Sequence, residues 1–206
     1  MTLETFHTWL YDGRAALVRR MAAGEDVSVH ELHLGFCRHT PVVCSNGPAG
    51  LNAAVKGVGF IPREEFLGDT LKAYMQHLER EPGDDYRQRA LAILVEHLYS
   101  EQARERLDFG LLGSLELARG RTWENLRATH QAVLLFYQPP ATSFEMHGTV
   151  EVHGPGSPYH TLLNAQHDVY HGPQRERWPE QPAYVFEIGS VRNKAPLPGG
   201  WGAPQT

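Results

Sequence analysis

The 206-residue chain reads as an α+β protein, a mostly antiparallel sheet with an N-terminal helix and an inserted helical hairpin. Three observations carry that reading. An apolar run, Ala132 to Tyr137, is followed by a proline turn and a second alternating segment, Phe144 to His153. Leu3 to Met21 repeats its apolar residues at helical spacing. Between the early and late strand signals, residues 63–108 carry two stretches of helical period.

Taken in order, Phe6, Trp9, Leu10, Leu17 and Met21 form the stripe of a packing helix, with Arg19 and Arg20 suited to its C-terminal dipole and Gly24 just beyond. Val27 to Phe36 matches neither a helical nor a strand period and is left unassigned. Pro41–Ser45, a loop Asn46–Gly50, and Ala53–Ile61 read as a hairpin with Asn-Gly as its turn signal. The first inserted helix carries Phe66, Leu67, Thr70, Leu71, Tyr74, Met75 and Leu78, and Glu81-Pro82-Gly83 ends it. The second is expected from Asp84 to about Leu107, paired with the first. Such a hairpin packs on the sheet, extends a dimer interface, or forms a lid over a ligand. The whole chain is expected to form one domain, 1–206, with 63–108 as an insertion within it.

Gly120-Arg121-Thr122-Trp123-Glu124-Asn125-Leu126 brings a guanidinium, a hydroxyl and a carboxamide together directly before a strand. Arg offers a planar fork to phosphate oxygens and Thr adds a hydroxyl. After the strand, Gln138-Pro139-Pro140-Ala141-Thr142-Ser143 turns the chain, and Phe144, Met146, Gly148, Val150 and Val152 share one face of the next strand. Gly148 marks a bulge or a close backbone approach by a ligand. Pro158 to Pro173 reads as a short helix with a Gly-Pro stop, and Pro182–Ile188 as a closing strand.

Over roughly residues 109 to 192, this order of motifs resembles the pyridoxamine 5′-phosphate oxidase-like, FMN-binding split-barrel family. The family's Ser-Arg-Lys falls on Gly120, Arg121 and Thr122, its Asn-Leu on Asn125 and Leu126, and its Val-x-Leu-Leu-Phe strand on the run ending at Phe136. Two positions depart from the pattern: Gly120 for serine and Thr122 for lysine, the latter removing a positive charge. The resemblance implies a split β-barrel, FMN as cofactor, and a homodimer with the flavin between subunits. It implies that Arg121 grips the phosphate and that Thr122 and Asn125 add hydrogen bonds. Ser143 would lie near the flavin, Trp178 and Arg192 would come from the partner subunit, and Lys56 or Ser45 would face the ring. The implied activity is oxidoreduction of a small organic molecule, with authentic pyridoxamine phosphate oxidation disfavoured by the departures at Gly120 and Thr122.

Two alternatives stand beside this. Twelve histidines, with His167 and His171 four apart on one helical face, allow a haem-binding or haem-degrading split barrel. A non-catalytic dimeric binding module is the other. No metal site is expected, since there is no HExxH and His30-Glu31-Leu32-His33 has the wrong spacing. There is no G-x-S-x-G, Walker or GxGxxG motif, and Asp84-Asp85 is explained by a helix N-terminus. A net charge of −5, without a basic aromatic stripe, argues against nucleic acid. Cys37 and Cys44 form no CxxC pair, and no segment is long and apolar enough for a membrane span, so a cytoplasmic protein with reduced thiols is expected.

Overall fold

A computed structural model describes residues 2–197, 200 and 201, with side chains for residues 3–196. The N-terminal stripe forms α1 (Thr2–His7) and α2 (Gly13–Ala22), joined without a break by a π-helical turn over Thr8–Asp12. Gly24, at φ +75°, takes the left-handed conformation just past the end of α2. The unassigned stretch is a helix, α3 (Val29–His39). Its start is a capping box: the Ser28 hydroxyl accepts from the Glu31 amide, and the Glu31 carboxylate accepts from the Ser28 amide. The apolar pattern of α3 is poor because only Gly35 is buried.

The sheet has seven strands, all paired antiparallel, in the order β2-β1-β5-β6-β7-β4-β3. These are β1 (Val42–Ser45), β2 (Asn52–Val55), β3 (Gly59–Pro62), β4 (Leu107–Leu115), β5 (Gln131–Gln138), β6 (Thr142–His153) and β7 (Ala183–Asn193). The expected second arm, Ala53–Ile61, is two strands rather than one. β2 pairs with β1 at one edge and β3 pairs with β4 at the other, while only Lys56, Gly57 and Val58 separate them.

That connection determines the shape of the sheet. Four residues of chain span at most about 14 Å, whereas the edges of a flat seven-stranded sheet would lie roughly 29 Å apart at ordinary strand spacing. The sheet must therefore curl until its two edges approach, with the bent segment bridging a seam that no ladder closes. This is a split barrel. The Lys56 and Val58 amides bond the Pro41 and His39 carbonyls, fixing the bend to the chain that enters β1.

Helices α4 (Glu64–Leu78), α5 (Tyr86–Leu94) and α6 (Glu101–Arg106) lie between the paired strands β3 and β4. The second expected helix is interrupted by a π turn over Val95–Tyr99 and by Ser100, whose hydroxyl caps α6. The pair is not a self-contained hairpin: α4 packs chiefly on α8 (Pro158–His171), and α5 on α2 and the π turn. Strand β4 was not anticipated, because its Gly110 and Gly113 dilute the β signal.

The core runs from the barrel into the helical layer. Phe6 is buried against Phe136 and Phe144, with ring centroids 5.2 and 5.4 Å apart, so α1 plugs one end of the β5–β6 hairpin. The inward face of β6 is the expected one, with Phe144, Met146 and Val150 buried. Gly148 sits at a register shift against β7, and a Cβ there would lie 2.2 Å from the Glu187 carbonyl oxygen. The close approach is thus by a neighbouring strand rather than by a ligand. Among the described residues, no helix is long and apolar enough to cross a membrane.

Candidate functional site

The residues singled out around position 121 form α7 (Arg121–Thr129), anchored by buried Leu126 and ended at His130 in the left-handed region. Its N-terminus begins at Gly120, which has no side chain to cap it. The first intrahelical bond runs from the Glu124 amide to the Gly120 carbonyl, so the amides of Arg121, Thr122 and Trp123 have no partner within the helix. Such an end favours an anion.

The loop between β1 and β2 packs on this helix, and Asn125 holds it there. Fully buried, Asn125 accepts from the Ala49 amide at 2.9 Å through Oδ1 and donates through Nδ2 to the Gly50 carbonyl at 2.7 Å and Ser45 Oγ at 3.3 Å. Thr122, also buried, accepts from Asn52 Nδ2 at 2.6 Å. Arg121 is exposed and closes the loop from outside: Nε and Nη2 donate to the Ala49 carbonyl at 3.1 and 2.6 Å, and Nη2 reaches the Leu51 carbonyl at 3.3 Å. Gly120, Arg121, Thr122 and Asn125 are therefore one local unit, but Thr122 and Asn125 hold the loop and only Arg121 presents its group to solvent.

Beside this unit lies an exposed apolar sheet face. Val55, Val42 and Leu135 stand in one register row across β2, β1 and β5, and Ala53, Cys44 and Val133 in the next. Leu51, Val55, Leu135 and Tyr137 are 77, 67, 38 and 52% exposed. Contiguous exposed apolar surface of this kind marks an interaction face.

The other sequence candidates lie elsewhere. Ser45 is buried beneath the loop as an Asn125 partner, and Lys56 turns away from the exposed sheet face to Glu116, 2.9 Å from its Oε2. Neither is turned to the exposed sheet face, because each satisfies a buried polar partner instead. Ser143 donates to the Phe136 carbonyl at the far end of the β5–β6 ladder from α7. Trp178 donates to Asp168 Oδ2 at 2.9 Å beneath α8, and Arg192 is exposed on β7, 3.8 Å from Glu145. The fold brings none of these three to Arg121.

Two buried charge sites escaped the sequence reading. Glu116, 1% exposed, accepts from Lys56 Nζ, from Tyr184 Oη at 2.7 Å, and from the Ala118 and Arg119 amides. These four donors outweigh burial and hold its carboxyl below the usual range, while burial beside this carboxylate pushes the Tyr184 phenol up. Arg14, on α2, is buried within a cavity lined also by His39, His167 and His171. Its signal was legible: a charge at the fourth position between Leu10 and Val18 breaks an otherwise apolar stripe. The rings of His167 and His171 are 4.6 Å apart, and among the described residues no group of three or more His, Cys, Asp or Glu converges to hold a metal.

No protein-family model and no curated protein matches the sequence. Solved structures similar in fold include HupZ of Group A Streptococcus, 13% identical, covering 87% of this chain and 100% of its own at a TM-score of 0.44. A Clostridium acetobutylicum protein related to general stress protein 26, of the pyridoxinephosphate oxidase family, is 13% identical and covers 82% of this chain and 89% of its own at 0.45. An FAD-binding protein from Mesorhizobium loti is 11% identical, covering 80 and 92% at 0.40. These are likenesses of fold at low identity, and none assigns a ligand to this chain. The split-barrel architecture expected from residues 109–192 is the architecture found.

Proposed function

We propose that this chain is an FMN-binding flavoprotein, an oxidoreductase for a small organic molecule that works as a homodimer. The observation that supports it is the adjacency of an uncapped helix N-terminus, the exposed guanidinium of Arg121 and an exposed apolar sheet face. A dianionic phosphate suits the free amides of Arg121, Thr122 and Trp123 together with the guanidinium. A flat aromatic ring suits the row of Val55, Val42 and Leu135, and a second subunit on the same face would bury both ring and row.

When bound, FMN supplies hydride chemistry that no side chain can. The protein's part is to bind and orient. Asn125 and Thr122 keep the loop seated so that Arg121 stays at the helix end, and the β1–β2–β5 face keeps water from one side of the ring. Trp178 and Arg192 enter this reading only as residues offered across the subunit seam, and Ser143, bonded to the Phe136 carbonyl, has no part in it.

The test compares FMN with riboflavin, which has no phosphate. Wild-type protein should take up FMN with a change in its visible absorbance and bind riboflavin more weakly. Arg121→Ala should weaken FMN by about tenfold or more, the value of one charge-assisted contact, with riboflavin unchanged. Equal affinity for the two flavins, or none for either, would sink the proposal; a colourless protein that takes up no added FMN would favour the binding-module reading.

A further inference from the structure

Away from the α7 edge, the molecule carries a cavity of about 680 Å3, open to solvent on one side, between α2, α3, α5, α8 and the β3–β4 pair. That is the size of a site for a small organic ligand. Most of its wall is apolar, with Leu17, Leu32, Leu91, Leu94 and Leu163 contributing. Phe36 and Leu117, 55 and 60% exposed, stand where the cavity meets solvent.

The polar part of the lining is unbalanced. Arg14 is 8% exposed, and its guanidinium donates from Nε to Tyr99 Oη at 2.7 Å and from Nη2 to Tyr170 Oη at 3.1 Å. Both partners are neutral phenols, and among the described residues no carboxylate lies within ion-pair distance of Arg14. Among the described residues, two arginines, buried Arg14 and exposed Arg87, line the cavity, and no Asp or Glu does. A buried cation without an anion is the costly arrangement, since desolvation of the charge is opposed only by the two hydroxyls and by the faces of the Tyr99 and Tyr170 rings, 5.8 and 5.5 Å from the guanidinium carbon. Lys56, similarly enclosed, has Glu116.

Two further groups are unmatched. Ser114 and Gln166 are 5 and 6% exposed, and Ser114 Oγ and Gln166 Oε1 have no hydrogen-bond partner among the described residues. Both residues line the cavity. His39 adds a neutral group. Its Nδ1 lies 2.9 Å from the Gly35 carbonyl and so carries the proton, while burial and the Arg14 charge push its pKa down to about 3.

We infer that this cavity binds an amphipathic monocarboxylate, an aliphatic or aryl body lying among the leucines with its carboxylate on the guanidinium of Arg14. The charge of the head follows from there being one buried cation, which a single carboxylate neutralises. A phosphate dianion would need further donors, and among the described residues the lining holds no second buried cation. The apolar body follows from the walls. None of Arg121, Thr122 or Asn125 lines this cavity, so the inference is independent of the flavin reading.

The experiment is calorimetric titration of the delipidated full chain with dodecanoate and, separately, with dodecanol, which has the same tail without the charge. Dodecanoate should bind at least about tenfold more tightly, as expected for a charge-assisted contact. Arg14→Met should bring dodecanoate down to the level of the alcohol. Ser114→Leu, which fills the cavity and removes an unpartnered hydroxyl, should weaken both ligands. Equal binding of acid and alcohol to the wild type, no binding of dodecanoate, or indifference to Ser114→Leu would each overturn the inference, and none requires Arg14→Met to fold.

Discussion

The two arginines at the candidate sites are both bonded to neutral acceptors, yet they stand in opposite solvents. Arg121 is exposed at a helix end, where water can serve its remaining donors and the carbonyls of Ala49 and Leu51 give it a position. Arg14 is enclosed with two phenols and a cavity. The first can do without an anion at little cost; the second carries a desolvated charge with none. The same side chain thus marks a recruiting surface in one region and an unmet electrostatic demand in the other.

The comparison is sharpest against a buried cation that is paired. Glu116→Ala should leave Lys56 enclosed without its carboxylate and lower stability by about 3–5 kcal/mol, read from urea unfolding. If the loss is below about 1 kcal/mol, enclosure does not carry the penalty on which the Arg14 argument rests. Asn125→Ala comes next. It strands the Ala49 amide and the Gly50 carbonyl, and should cost about 2–3 kcal/mol. It should also weaken FMN as strongly as Arg121→Ala, because the loop that seats Arg121 is released.

His39 tests the cavity through pH. Its folded pKa of about 3 lies below the ordinary 6.5, so between these values the unfolded chain takes up a proton that the folded chain refuses. The His39 contribution is fully present above pH 6.5 and is lost as the pH falls toward 3. His39→Gln should therefore flatten the fall in stability between pH 7 and 5; an unchanged slope would place His39 in contact with water. The smallest stability effects belong to the two arginines themselves. Arg121→Ala should change stability by less than about 1 kcal/mol, as exposed polar contacts do. Arg14→Met should be similarly mild, since replacing an unpaired buried charge by a thioether removes its desolvation cost. A loss of several kcal/mol at Arg14 would show a structural role for the phenol cluster.

Much of the α7 edge could be read from neighbouring residues. Arg121, Thr122 and Asn125 are close in sequence, and the β5–β6 hairpin beside them announces itself by alternation and a proline turn. What Thr122 and Asn125 do was not readable, because their partners, Asn52, Ser45 and Ala49–Gly50, lie 70 or more residues away. Helix α3 is legible in its Ser28–Glu31 capping box and not in its apolar period, since only Gly35 is buried. The division of Ala53–Ile61 had no local signal beyond Gly57 and Gly59.

Local chemistry determined the helices with clear stripes, the central hairpin and the cluster around Arg121, since these depend on residues within a few turns of one another. Tertiary structure alone decided that one apparent strand would bend at Lys56–Val58 and join opposite edges of the sheet, and that Arg14, His39, Ser114 and Gln166 would line one cavity. The reason is distance along the chain. Curling of a sheet and enclosure of a charge arise from contacts among segments whose individual patterns are indifferent to one another.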